Sequence, residues 1–93
     1  ESLHGVMAAG ATCFPQSIGQ AASWDVELVE RAARLIGERL RAMGASQALA
    51  PVLDITRDPR WGRLEETYGE DPYLVAALGC AYVRGIQAAP DGG

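Results

Sequence analysis

The chain has 93 residues, of which 48% are hydrophobic and 22% charged, a balance typical of a folded globular domain and not of a disordered or fibrous one. Its net charge is -4, and its eight basic residues are all arginine, scattered without a basic run, so nucleic acid is excluded as an expected partner. No apolar run approaches the ~18 residues of a membrane span, so no membrane partner is expected.

In chain order, Ser2-Leu3-His4-Gly5-Val6 reads as the end of a strand entering a loop, and Pro15 to Ala22 as one or two helical turns. From Asp25 to about Met43, Val29, Ala32, Ala33, Ile36, Leu40 and Met43 recur every three or four residues, the spacing of one buried helical stripe. Ser23 or Asp25 caps its start, Glu27 suits the positive end of the dipole, and Gly44 supplies a left-handed stop.

Residues 48–55, ALAPVLDI, form a short, nearly continuous apolar run that predicts a strand covered on both faces, with Pro51 making it irregular. A charged loop follows from Thr56 to Glu70. Asp71 and Pro72 then start a second amphipathic helix carrying Leu74, Val75, Leu78, Tyr82, Val83 and Ile86 and ending near Gln87. Gly79 inside that helix predicts close packing on a neighbour.

Strands alternating with helices predict an α/β protein with parallel strands and right-handed crossovers. Two strands do not make an independent parallel sheet, and the sequence opens at Glu1 without methionine; the chain is expected to be part of something longer.

In such folds chemistry gathers in the loops that follow the carboxyl ends of strands. Two segments qualify here, Glu1 to Gly10 and the loop opening with RDPRWGR at Arg57, and Glu1 and the arginines are expected to converge. The loop's charges, Asp54, Asp58, Glu65, Glu66, Glu70 and Asp71 against Arg57, Arg60 and Arg63, allow two readings. One is a partly buried ion-pair network that only shapes the loop. The other is a polar sugar or carboxylate site in which Trp61 serves as an apolar wall, a residue equally suited to anchoring the loop by packing.

His4 is the sole histidine and lacks a nucleophile at a recognisable elbow, which favours a structural role. Cys13 and Cys80 stand far apart in no metal-binding or redox spacing, and are expected to be free, buried and inert. There is no phosphate-binding glycine loop, and one histidine with dispersed carboxylates gives no metal site; no cofactor is expected.

The order ESLHG, TCFPQSIGQAASWD, LAPVLDITRDPRWGRLEETYGEDPYL and YVRGIQ resembles the N-terminal (β/α)8, TIM-type barrel domain of glycoside hydrolase family 3 from Glu1 to Gln87, in wording closest to its β-glucosidase and β-xylosidase branch. The resemblance implies that residues 1–93 are an incomplete part of that domain. It also implies an exo-acting, retaining enzyme that removes terminal β-linked glucose or xylose from an oligosaccharide or aryl glycoside. Such an enzyme uses two carboxylates about 5 to 5.5 Å apart.

In the family the nucleophile is an aspartate on a later strand and the acid/base a glutamate usually beyond the barrel, so no catalytic residue is expected within this chain. Glu1 matches a position that accepts hydrogen bonds from sugar hydroxyls, and Arg63 one that donates to them. Glu66 is read as the partner holding Arg63. The implied partners are the glycoside substrate and the rest of the barrel and C-terminal domain of the parent. Against this stand a non-catalytic carbohydrate-binding or interaction module and a gene fragment without function.

Overall fold

The computed structural model describes residues 2–10 and 12–88, and Glu1 lies outside the described residues. Among the described residues there are three α-helices, α1 (Ser17–Ala22), α2 (Val26–Ala42) and α3 (Pro72–Gln87), with one 3-10 turn (Leu64–Glu66) in the loop between α2 and α3.

The two long helices start and stop as the sequence predicts. Asp25 caps α2, its Oδ1 accepting from the Leu28 amide at 3.0 Å, and Glu27 lies in the first turn where the dipole favours an anion. Gly44 follows the helix with φ +86, a conformation that costs glycine nothing. Asp71 caps α3 by accepting from the Tyr73 amide at 2.9 Å, with Pro72 in the first helical position. Ser23 plays a different part: its hydroxyl donates to the Gln20 carbonyl at 2.6 Å and closes α1. Between the two caps Trp24 takes φ +55, an uncommon conformation for a bulky residue.

The core is the seam between α2 and α3, built from Val29, Ala33, Ile36 and Leu40 on one side and Leu74, Val75, Leu78, Ala81 and Tyr82 on the other. The α2 stripe is shorter than its spacing suggests, since Ala32 is half-buried and Met43 exposed. The helices approach closely because two buried residues at the crossing are glycines. A Cβ on Gly85 would lie 2.7 Å from the Ala33 Cβ and nearer still to the Glu30 carbonyl oxygen; one on Gly37 would lie 2.7 Å from the Ile86 carbonyl oxygen.

Polar groups pin the same seam. Arg84 Nε donates to Glu30 Oε1 at 2.8 Å, and Arg41 reaches across to the Ile86 and Ala88 carbonyls at 3.1 and 2.7 Å. A helix leaves its last carbonyls without intrahelical partners, and Arg41 of α2 supplies donors for those of α3.

The parallel strands expected at 48–55 and at the start of the chain are not found; this is a correction. Among the described residues there is no strand ladder, only an isolated bridge at Leu3 and Gly5. Residues 48–55 run without regular secondary structure over the helical core, onto which Ala48, Ala50 and Ile55 pack, while Leu49 and Leu53 are exposed. Apolar content directs a segment onto a core, but a strand exists only through the hydrogen bonds of a neighbour, and no described segment provides them. The expectation for Gly79 holds in altered form: a Cβ there would meet the Leu53 side chain of this run.

Candidate functional site

The loop from Thr56 to Gly69 leaves the apolar run and returns to the same place. Its ends are joined by the Thr56 amide, which donates to the Gly69 carbonyl at 2.9 Å, and by the hydroxyls of Thr56 and Thr67, 2.7 Å apart. Gly69 makes the return with φ +106.

Within the loop, Asp58 and Pro59 build a turn. The Asp58 carboxylate accepts from the Arg60 amide at 2.9 Å and from its guanidinium at 2.7 Å, while the Asp58 carbonyl accepts from the Trp61 amide at 3.1 Å. Aspartate before proline suits the first two positions of such a turn. The Arg60 guanidinium holds the Asp58 carboxyl below its usual range, and that carboxylate raises the arginine in return. Both side chains are well exposed, so the pair shapes the turn and adds little stability. Trp61 follows, partly exposed.

Arg63 and Glu66 form the second pair. Arg63 Nε donates to Glu66 Oε2 and Nη2 to Oε1, both at 2.7 Å, so two of the guanidinium's five N–H groups meet one carboxylate in the planar fork geometry arginine favours. The 3-10 turn at Leu64–Glu66 sets the spacing, with the Glu66 amide donating to the Arg63 carbonyl at 3.1 Å. Burial is unequal: the Arg63 side chain is 66% exposed and that of Glu66 only 16%. The arginine faces solvent over an inward carboxylate, whose pKa falls below the ordinary glutamate value because Arg63 hydrogen-bonds the charged form.

Among the described residues the six acidic residues and three arginines show two local ion pairs in this loop, Asp58–Arg60 and Glu66–Arg63, each closed within three residues. Asp71 is spent on the α3 cap. Glu70 joins Trp24, Thr56, Tyr68 and Leu74 along a cleft of about 530 Å³ between α1 and the base of the loop, which Arg63 and Glu66 do not line. The expected convergence of Glu1 with the arginines concerns a residue outside the described ones.

Thr56 and Thr67 were not singled out by sequence reasoning, yet they close the loop. The signal available was a pair of hydroxyl-bearing β-branched residues flanking the charged stretch, one of them directly after Glu66. Thr67 and its neighbour Tyr68 are both buried. Burial pushes the phenols of Tyr68 and Tyr82 up, and the Tyr82 hydroxyl donates to the Ser2 carbonyl. Neither is placed to exchange protons near neutral pH.

His4 is half-buried, and its carbonyl accepts from the Phe14 amide at 2.7 Å. Both cysteines are free, as expected, but exposed and not buried. Cys80 falls between the buried Gly79 and Ala81, on the flank of α3 turned from α2, and Cys13 lies in an exposed stretch of loop. Among the described residues no three His, Cys, Asp or Glu side chains are grouped to hold a metal ion, and no helix is long and apolar enough to cross a membrane.

Comparison with known proteins places this loop in a family. The family model described as glycosyl hydrolase family 3 N terminal domain matches residues 1–91. A β-xylosidase of Formosa agariphila is 39% identical over 94% of the chain, and thermostable β-glucosidase B of Acetivibrio thermocellus is 45% identical over 84%. The chain spans 13% and 10% of the lengths of these two relatives. The solved structure of a β-glucosidase from Erythrobacter marinus superposes on 97% of the chain with a TM-score of 0.93 at 42% identity, the match covering 12% of that structure. With the whole loop from Thr56 to Gly69 inside the matched residues, the chain belongs to glycosyl hydrolase family 3.

Proposed function

We propose that residues 1–93 are part of the N-terminal barrel domain of a β-glycosidase that removes terminal β-linked glucose or xylose with retention of configuration, and that they supply substrate contacts and not the reacting groups. The observation that carries this reading is the Arg63–Glu66 fork: a solvent-facing guanidinium whose plane is fixed by two 2.7 Å bonds to a largely covered carboxylate.

A sugar hydroxyl has one proton to give and two lone pairs to receive with. A guanidinium held in a fixed plane donates to those lone pairs, and a carboxylate takes the proton; Glu1 is proposed for that second role. A site paired in this way rejects an analogue lacking the hydroxyl, because the protein's own polar groups are then left unmatched. Arg63 stays charged throughout the working range and is a poor proton donor, so it orients the ring and leaves acid/base work to others.

The same reading assigns the reacting carboxylates to the parent enzyme outside these residues. It gives the 48–55 run its strand neighbours there too, which the apolar pattern anticipates. The full-length protein is expected to release p-nitrophenol from p-nitrophenyl β-glucoside or β-xyloside, and the 93-residue chain to release none. Turnover by the short chain sinks the division of labour. A full-length protein that binds these glycosides without cleaving them is instead a carbohydrate-binding module.

A further inference from the structure

The fork fixes the guanidinium plane relative to Glu66, but with the Arg63 side chain 66% exposed a pair of residues three apart adds little to holding the backbone turn that carries it. Something beneath it must fix the turn. Thr67, fully buried and directly after Glu66, has the needed connections. Its hydroxyl donates to the Leu64 carbonyl at 2.8 Å and accepts from the Gly69 amide at 3.3 Å. Since its one proton is committed to Leu64, the 2.7 Å contact with Thr56 has Thr56 as donor. One buried oxygen therefore joins three points of the loop: its entry at Thr56, the turn at Leu64 and its return at Gly69. The Leu64 carbonyl also receives the Thr67 amide at 3.1 Å, so both donors of Thr67 converge on the residue that follows Arg63.

We propose that Thr67 is a positioning residue for the sugar contact of Arg63: its hydroxyl sets the register of the 64–67 turn and thereby the direction in which Glu66 aims the guanidinium. This rests on the substrate-binding role proposed for Arg63 above. Valine in place of threonine keeps the shape and removes the hydroxyl, leaving Thr56 and the Gly69 amide without their acceptor; serine keeps the hydroxyl.

The test is a double-mutant cycle in the full-length enzyme with p-nitrophenyl β-glucoside or β-xyloside, whichever it cleaves. Thr67→Val is expected to lower kcat/KM about tenfold or more, Thr67→Ser to stay within about twofold of wild type, and Thr67→Val added to Arg63→Ala to cost no more than about twofold further. Should Thr67→Val fail to fold, Thr56→Val removes one arm of the junction and is expected to give the same pattern at smaller size. A Thr67→Val loss as large in the Arg63→Ala background as in wild type overturns the proposal, as does a serine variant no better than valine. If Arg63→Ala alone leaves kinetics unchanged, it is the arginine's role that fails, and the positioning proposal falls with it.

Discussion

Replacing Arg63 with alanine in the full-length enzyme is expected to lower kcat/KM for its β-glycoside by about 10²- to 10⁴-fold, or ~3–5 kcal/mol of transition-state binding. Two losses combine. The charged hydrogen bonds proposed to the sugar disappear, each worth about 1.5–3 kcal/mol, and Glu66 loses the guanidinium it holds in the fork. Lysine restores the charge but not the fork, so Arg63→Lys is expected to recover only a small part of the loss. Steady-state kinetics of the three proteins decide the matter, and wild-type values for the alanine variant would refute the role.

The second large effect lies in the helical seam. Alanine at Gly85 gains about 1 kcal/mol of helix propensity, but its Cβ must enter a space bounded by the Glu30 carbonyl, Ala33 Cβ and Arg34 amide nitrogen, and overpacking of this kind costs about 1–3 kcal/mol. Two of these three neighbours are helix backbone, which yields only if α2 moves. The sum is a net destabilisation, larger with valine. Gly79→Ala is the control: the atoms nearest its Cβ belong to the Leu53 side chain and none to helix backbone, so the shift required is smaller and the propensity gain offsets most of the cost. Denaturant midpoints of the full-length protein are expected to fall for Gly85→Ala and to change little for Gly79→Ala. Equal midpoints for the two variants would show that the seam is not as tight as its glycines indicate.

This pair of glycines also shows where the sequence was readable. Helices α2 and α3 were legible because their signals are local: apolar spacing, Asp25 and Asp71 as caps, Pro72 at the first turn and Gly44 at the stop. Gly37, Gly79 and Gly85 all carry the same local mark, a glycine inside a helix, and nothing local says that Gly37 and Gly85 make the crossing while Gly79 faces Leu53. The meaning of Gly37 and Gly85 lies in the other helix. Residues 48–55 form no strand within the described residues for a related reason, since apolar content describes a segment's faces and not the partner on its edges.

In the loop, the motif pointed to Arg63 and Glu66, and the fork between them follows from arginine's geometry at a spacing of three. The junction at Thr67 did not follow, because a threonine among charged residues looks like any solvated loop position until its burial is known. Among the described residues the charges of this loop pair locally, Asp58 with Arg60 and Glu66 with Arg63. A pair closed within two or three residues forms wherever the turn allows, whereas a network needs the whole loop to bring distant charges together.

The central claim is that this chain holds the sugar while the carboxylates that react with it lie elsewhere in the enzyme. The most direct test exploits the covalent intermediate of a retaining glycosidase. Incubating the full-length protein with an activated 2-deoxy-2-fluoro β-glycoside slows breakdown of the glycosyl-enzyme, and peptide mass spectrometry then locates the added sugar. The label is expected on an aspartate outside residues 1–93; an adduct on any carboxylate between Glu1 and Gly93 would contradict the account.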